Sequence, residues 1–241
     1  MIDESRPLES IVVDLLKDNR NVTVLEAGCG SLSHFNHAKV GNTHLVGIDI
    51  SPEQLAKNTY LHESILGDIQ DPKALPPSSY DLIICWDVLE HLPDPTIALR
   101  NFTRATKDGG LILLASPNVF TVRGLITKFT PHLLHVWFYR YVAGHKEAGS
   151  PGSWPFRSYH RFAMSPPSIK KFASESGLTV ELERYTTWKT HEYKYSLFRI
   201  IWPFLEKSIS ALSFGMISTD EKMGFQMLLK RNESTTEGTS G

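Results

Sequence analysis

The sequence predicts an α/β fold, a mostly parallel sheet with helices packed on its faces. Three observations carry that prediction. Apolar and β-branched runs of strand length recur at 22–25, 44–48, 80–86 and 111–115, the pattern of strands buried on both faces. Helix-start signals, Ser51-Pro52-Glu53 and the Pro93/Pro95 pair, stand between them, and strand–helix alternation argues parallel pairing. The first run stops at Gly28-Cys29-Gly30, and glycine is needed where the backbone turns sharply or another group comes within contact distance.

Taken in order, residues 1–20 read as an amphipathic helix, because Ile11-Val12-Val13 and Leu15-Leu16 are interrupted by Asp14 and followed by Lys17. That interruption also argues against a secretory segment. Val22-Thr23-Val24-Leu25 is the first strand, and Ser31 and Ser33 after the glycines can cap a helix whose free N–H groups attract an anion. A cofactor site and a purely structural turn both fit this much. Residues 31–40 include His34, Asn36 and His37 and predict a short or irregular helix. The second strand ends at Asp49, where a Rossmann-type site bonds ribose hydroxyls. The same carboxylate also suits the start of the next helix. Ile65-Leu66-Gly67-Asp68-Ile69 suits a third strand and its exit loop, where Asp68 can accept from an adenine amino group and Ile69 can pack on its ring. Tyr80 to Trp86 is the strongest strand. A helix opened by Pro93 and Pro95 is expected to run to Lys107 and close at Gly109-Gly110 before the fifth strand, 111–115. Further on, 169–175 reads as helix, with 178–185 and 223–230 as strands.

At 241 residues and a formal net charge of -1, the chain suits one α/β domain and lacks the basic surplus that nucleic-acid binding usually requires. Its domain is expected to span 1–231, with 232–241, rich in Ser, Thr, Glu and Gly, a disordered tail. The two cysteines, Cys29 and Cys85, offer neither a zinc spacing nor a disulfide framework, which fits a reducing, cytoplasmic setting.

Four stretches in this order resemble successive motifs of the class I S-adenosylmethionine-dependent methyltransferases: Glu26-Ala27-Gly28-Cys29-Gly30, Gly47-Ile48-Asp49-Ile50-Ser51, Gly67-Asp68-Ile69, and Tyr80-Asp81-Leu82-Ile83 through Val88-Leu89-Glu90-His91-Leu92. More narrowly they resemble the small-molecule enzymes of the type 11 and ubiquinone-biosynthesis kind, over roughly 22–118. The resemblance implies a Rossmann-like seven-stranded sheet with an antiparallel C-terminal hairpin. It implies S-adenosylmethionine as cofactor, with Glu26, Gly28 and Gly30 at the methionine end, Asp49 at the ribose, and Asp68 and Ile69 at the adenine. Cys29, Ile50, Trp86 and His91 complete that wall. Leu32 departs from the family, which usually has a third glycine there, and suggests an altered wall beside the methionine portion. A dinucleotide fingerprint fares worse, since G-x-G-x-x-G needs glycine where Ser33 stands, and an NAD(P)-dependent oxidoreductase becomes the weakest alternative.

Methyl transfer from a sulfonium needs no metal and no covalent nucleophile, only an acceptor held in line. Two insertions are expected to hold that acceptor. The first, 119–164, interleaves aromatic and basic residues, and the sequence nominates Trp154, Tyr159 and Arg161 for substrate and His160 as a base. Arg161 alternatively lies in solvent, and His160 alternatively is structural. The second, 193–216, repeats apolar residues at roughly helical spacing around Pro203 and reads as a sheet cover, a homodimer face, a substrate lid or an interfacial membrane anchor, but not as a transmembrane span. The expected activity is methylation, preferably at oxygen, of a small, partly aromatic or lipophilic acceptor. The alternative is a methyltransferase-like module that binds cofactor or a partner without catalysis.

Overall fold

The chain forms seven strands, as the resemblance implies: β1 (Val22–Ala27), β2 (Thr43–Asp49), β3 (Glu63–Leu66), β4 (Tyr80–Trp86), β5 (Thr106–Pro117), β6 (Leu178–Thr186) and β7 (Gly224–Arg231). They form one sheet of order β3-β2-β1-β4-β5-β7-β6. The first five pair in parallel, and β7 pairs antiparallel with both β5 and β6. The computed structural model describes residues 3, 5–16, 21–33, 35–36, 39–142, 144–150, 158–187 and 196–233. Trp154 and all but the first two residues of the expected 232–241 tail lie outside them.

The central strands are apolar throughout because both faces of the sheet are covered. Along β4, Ile83 and Cys85 enter one core while Leu82 and Ile84 enter the other, as the alternation of side chains along a strand requires. The first core is closed by α3 (Pro95–Ala105), through Ala98, Leu99 and Phe102, and by α6 (Pro166–Glu175), through Ile169 and Ala173. The second is closed by α1 (Leu8–Leu15), through Leu8, Ile11 and Val12, and by Phe35. Both cysteines are free and buried. The remaining helices are α2 (Pro52–Leu55), α4 (Val122–Phe129), α5 (His132–Trp137) and α7 (Ser196–Leu212). Among the described residues no helix is long and apolar enough to cross a membrane.

One local expectation is corrected. The helix after Pro93 ends at Ala105 rather than Lys107, because Thr106 turns to an extended conformation and pairs with Tyr80 of β4. Gly109, at φ +73, therefore makes a bend inside β5 instead of capping a helix. The described residues of 31–40 agree with the expected irregularity: no α-helix forms among them, and Lys39 lies in a 3-10 turn. Ser33 is spent on a local turn, its hydroxyl accepting from the Phe35 N–H at 3.1 Å, and that turn drops Phe35 into the core.

The chain reverses its direction of winding between β1 and β4. It moves outward through β2 and β3 and then returns to lay β4 against the other side of β1. In open α/β sheets the crevice at such a reversal, outside the carboxyl ends of the strands, is where ligands bind. Here it is bounded by the residues that follow β1, β2 and β4.

Candidate cofactor site

The floor of the crevice is the bend after β1. Gly28 takes φ +71, and a Cβ added there would stand 2.5 Å from the Cγ2 atom of Val88, so the loop after β4 is seated where only a hydrogen fits. Gly30, at φ +50, is the opposite case: a Cβ there would meet nothing within 4 Å. One glycine permits internal packing; the other borders open space. The carbonyl of Ile48 accepts from the N–H groups of Gly28 and Cys29, at 2.8 and 3.1 Å, tying the bend to the end of β2.

Two acids meet the bend. Asp49 accepts from the Gly30 N–H at 2.9 Å through one carboxylate oxygen and from the Ser51 N–H at 2.9 Å through the other. Glu26 is buried and accepts from the Ser33 hydroxyl. The backbone donors at Gly28, Cys29 and Gly30 are thus engaged by the protein's own acceptors. A small pocket beside them is lined by Glu26, Ala27, Gly28, Cys29, Leu32, Ser33, Ile84 and Trp86. Burial, and then the negative charges of Asp49 and Glu26, push the Cys29 thiol up to about 12, so it meets the pocket uncharged.

The other nominated residues are placed unevenly. Ile50 lies just past Asp49 and is 74% exposed, a large apolar side chain with no covering from the protein. Asp68 is exposed and folds back on the Gln70 N–H at 2.8 Å. Ile69 departs from expectation: its side chain is buried in the first core, so only its backbone is left for a ligand. Its carbonyl accepts from the side-chain amide of Asn101 at 2.8 Å. Asn101 escaped the sequence reading, although an amide among the apolar positions of α3 signals a buried partner. His91 lies across from Ser158, whose hydroxyl is 3.3 Å from Nδ1.

The acceptor side is more closely packed. Tyr159 and His160 are strung to the carbonyl of Glu90 by their N–H groups, at 2.7 and 3.4 Å, so the segment does lie beside the loop after β4. His160, however, is buried and at φ 42. Burial, helped by the positive potential of His91, His135 and Lys128, holds its imidazole down to about 4. A ring that resists protonation this far is neutral at neutral pH and a weaker proton acceptor than a free imidazole. Arg161 donates from Nε to the Pro93 carbonyl at 3.0 Å, and its guanidinium lies over the Tyr159 ring, which pins it to the surface.

Glu90 is the titratable group that sequence reasoning passed over. Its carboxyl accepts from the Ser116 hydroxyl at 3.0 Å and is 3% exposed. Burial, with the Asp87 carboxylate second, pushes it up to about 8. Asp87 itself sits at φ 53, a conformation costly for a residue with a Cβ. The available signal was local, an acid framed by Leu89 and Leu92 on one turn of chain.

With a parallel sheet, a glycine bend at its winding reversal and an acid closing the next strand, the molecule has the architecture of the S-adenosylmethionine-dependent methyltransferases. Solved structures bear this out at the level of fold. The enzyme of that description from Mesorhizobium loti superposes with a TM-score of 0.55 over 92% of this chain and 96% of its own, at 14% identity. Its counterpart from Methanosarcina mazei gives 0.55 over 90% and 95%, at 15% identity. A family model, the methyltransferase domain, matches residues 3–183, and the chain belongs to that family. Among curated relatives, a ubiquinone biosynthesis O-methyltransferase of Xanthomonas euvesicatoria is 35% identical over 104 residues, 39% of this chain and 43% of the relative. One from Neisseria meningitidis is 26% identical over 154 residues, 56% and 64%. The matches therefore span about half the length of these relatives.

Proposed function

We propose that the protein transfers a methyl group from S-adenosylmethionine to an oxygen of a small, partly aromatic or lipophilic acceptor. The observation that carries this reading is the pairing of Asp49 with the Gly30 N–H beside open space, at the crevice where the sheet reverses. The residues fit such a cofactor. Glu26 offers a buried carboxylate to an ammonium group, Asp49 two acceptor oxygens to ribose hydroxyls, and Ile50 an uncovered apolar face to an adenine ring. When bound, S-adenosylmethionine supplies a methyl already activated by its sulfonium. What remains for the chain is to position the acceptor and exclude water, and positioning alone is worth several orders of magnitude in rate. The loop after β4, locked by Val88 against Gly28, sets one wall of that space, and the 158–160 segment held on the Glu90 carbonyl sets the next. The O-methyltransferase names of the curated relatives support oxygen as the accepting atom.

Calorimetry with S-adenosylmethionine and its demethylated product tests the cofactor, and turnover on a panel of phenolic acceptors tests the reaction. Micromolar binding of both and methylated phenol are expected; binding of neither cofactor form would overturn the reading. One observation favours a second reading, a module that has kept the fold without the chemistry. Glu26 is closed on Ser33 and Asp49 on Gly30, so the site satisfies itself internally. Tight binding with no turnover across the panel would select it.

A further inference from the structure

We propose that the outward face of α7 and the neighbouring α4–α5 segment dock the protein on an anionic lipid surface. The argument begins with an inverted helix. A helix on a soluble domain turns its apolar stripe inward and its charges to water. In α7 the acid Glu206 is buried, whereas Ile201, Phe204, Leu205 and Leu212 face out, Phe204 at 75% exposure and Leu212 at 81%. The chain just past the helix continues the pattern, with Phe214 at 94% and Met216 at 72%.

Arg123 of α4 lies over the Trp202 ring at 5.1 Å, and the Ser218 N–H donates to the Phe120 carbonyl at 2.7 Å, so α4 and the end of the α7 segment are held together. The α4–α5 segment adds Phe129, Leu133 and Trp137, each more than half exposed. Most of the exposed large apolar side chains among the described residues therefore fall in these two segments. Such a concentration marks an interaction surface, since scattered apolar residues are ordinary and clustered ones are not.

Charge decides the occupant. Residues 119–149 and 196–219 hold six Lys and Arg against two Asp and Glu, in a chain whose total is slightly acidic. One of those two acids is the inward Glu206. Of the six cations, Lys146 and Lys207 are exposed, against Glu147 among the acids, so the two apolar segments carry a positive surplus, the composition that favours anionic headgroups. A second copy of the chain fits less well, because a two-fold interface sets each patch against itself and would bring the same cations together. At 17 residues, broken by Pro203, α7 lies short of a span, so the contact is interfacial.

Co-sedimentation with phosphatidylcholine vesicles, with and without phosphatidylglycerol and in the absence of cofactor, is the test. The 241-residue chain should pellet with the anionic vesicles only, and less as salt is raised. A Phe204→Glu/Phe214→Glu variant should lose affinity by on the order of tenfold or more, because two side chains that would enter the interface become charged. Lys207→Glu, a milder surface change, should lose severalfold. All three positions are exposed, and circular dichroism verifies that the variants fold. No pelleting, equal pelleting with neutral vesicles, or undiminished pelleting of the double variant would overturn the proposal. So would a dimer in analytical ultracentrifugation that the same substitutions disperse, which would assign the face to a second copy. Because no cofactor is present, failure here leaves the methyl-transfer reading standing, and the reverse also holds.

Discussion

Replacing Glu90 by Gln should make the protein less sensitive to alkali. The native fold raises the Glu90 carboxyl from an ordinary value of 4.5 to about 8, by burial first and the Asp87 charge second. A carboxyl raised on folding contributes stability that is fully present below the unfolded value and lost as pH rises through the folded one. His160, lowered to about 4 from 6.5, acts in the opposite sense, its contribution being present above pH 6.5 and lost as pH falls toward 4. Between about pH 4.5 and 6.5 the two slopes oppose each other. From pH 6.5 to 8 the native His160 is neutral and its unfolded counterpart, half-charged at pH 6.5, soon becomes so, which leaves Glu90 as the dominant differential titration of this pair. One proton is worth about 1.4 kcal/mol per pH unit, so wild type should lose about 2 kcal/mol across that window. Gln keeps an acceptor for the Ser116 hydroxyl, now at 3.0 Å from the carboxyl, and has no proton to lose. Urea unfolding at pH 6.5 and pH 8 reads the result. The wild-type midpoint should fall between the two and the Glu90→Gln midpoint should move by less than half as much. Parallel losses in both proteins would show that Glu90 ionises without cost in the native state, and the burial argument would fail.

Three other outcomes follow from the same geometry. Asp49→Ala should weaken binding of the demethylated cofactor by about 1–3 kcal/mol in calorimetry, the range for a charge-assisted hydrogen bond, and unchanged affinity would remove Asp49 from the site. Gly28→Ala should destabilise the fold by about 2–4 kcal/mol, combining a left-handed backbone with a contact on Val88. Adding Val88→Ala should cost less than the two single changes summed, and strict additivity in urea melts would deny the contact. His160→Asn, which tolerates the positive φ, should change turnover by less than about threefold at any pH, whereas losing a general base typically costs about a hundredfold or more. A hundredfold loss with intact cofactor affinity would restore the base role.

The legible part of this protein was whatever depends on neighbours in sequence. Apolar runs announced the strands, proline and serine announced the starts of α2 and α3, and two glycines announced the bend after β1. The resemblance supplied the antiparallel hairpin of β6 and β7, which no local pattern contains, because it pairs Thr186 with Gly224 and sets β7 against β5 through Leu111 and Lys230, residues far apart in the chain. Misplaced elements failed for long-range reasons. Thr106 left its helix to pair with Tyr80, and Phe35 was drawn into the core by a turn rather than a regular helix.

The chain by itself determined that a sheet would end in glycine and carboxylate at one edge, since steric freedom and charge are properties of single residues. Only the tertiary structure decided what those groups meet. It put Ile69 into the core, set Asp49 on the Gly30 N–H, dried out Glu90 and His160 until their protonation moved in opposite directions, and turned the apolar side of α7 away from the protein. Burial and proton affinity depend on every atom packed around a side chain, and that packing is assembled from parts of the chain that a local reading never compares.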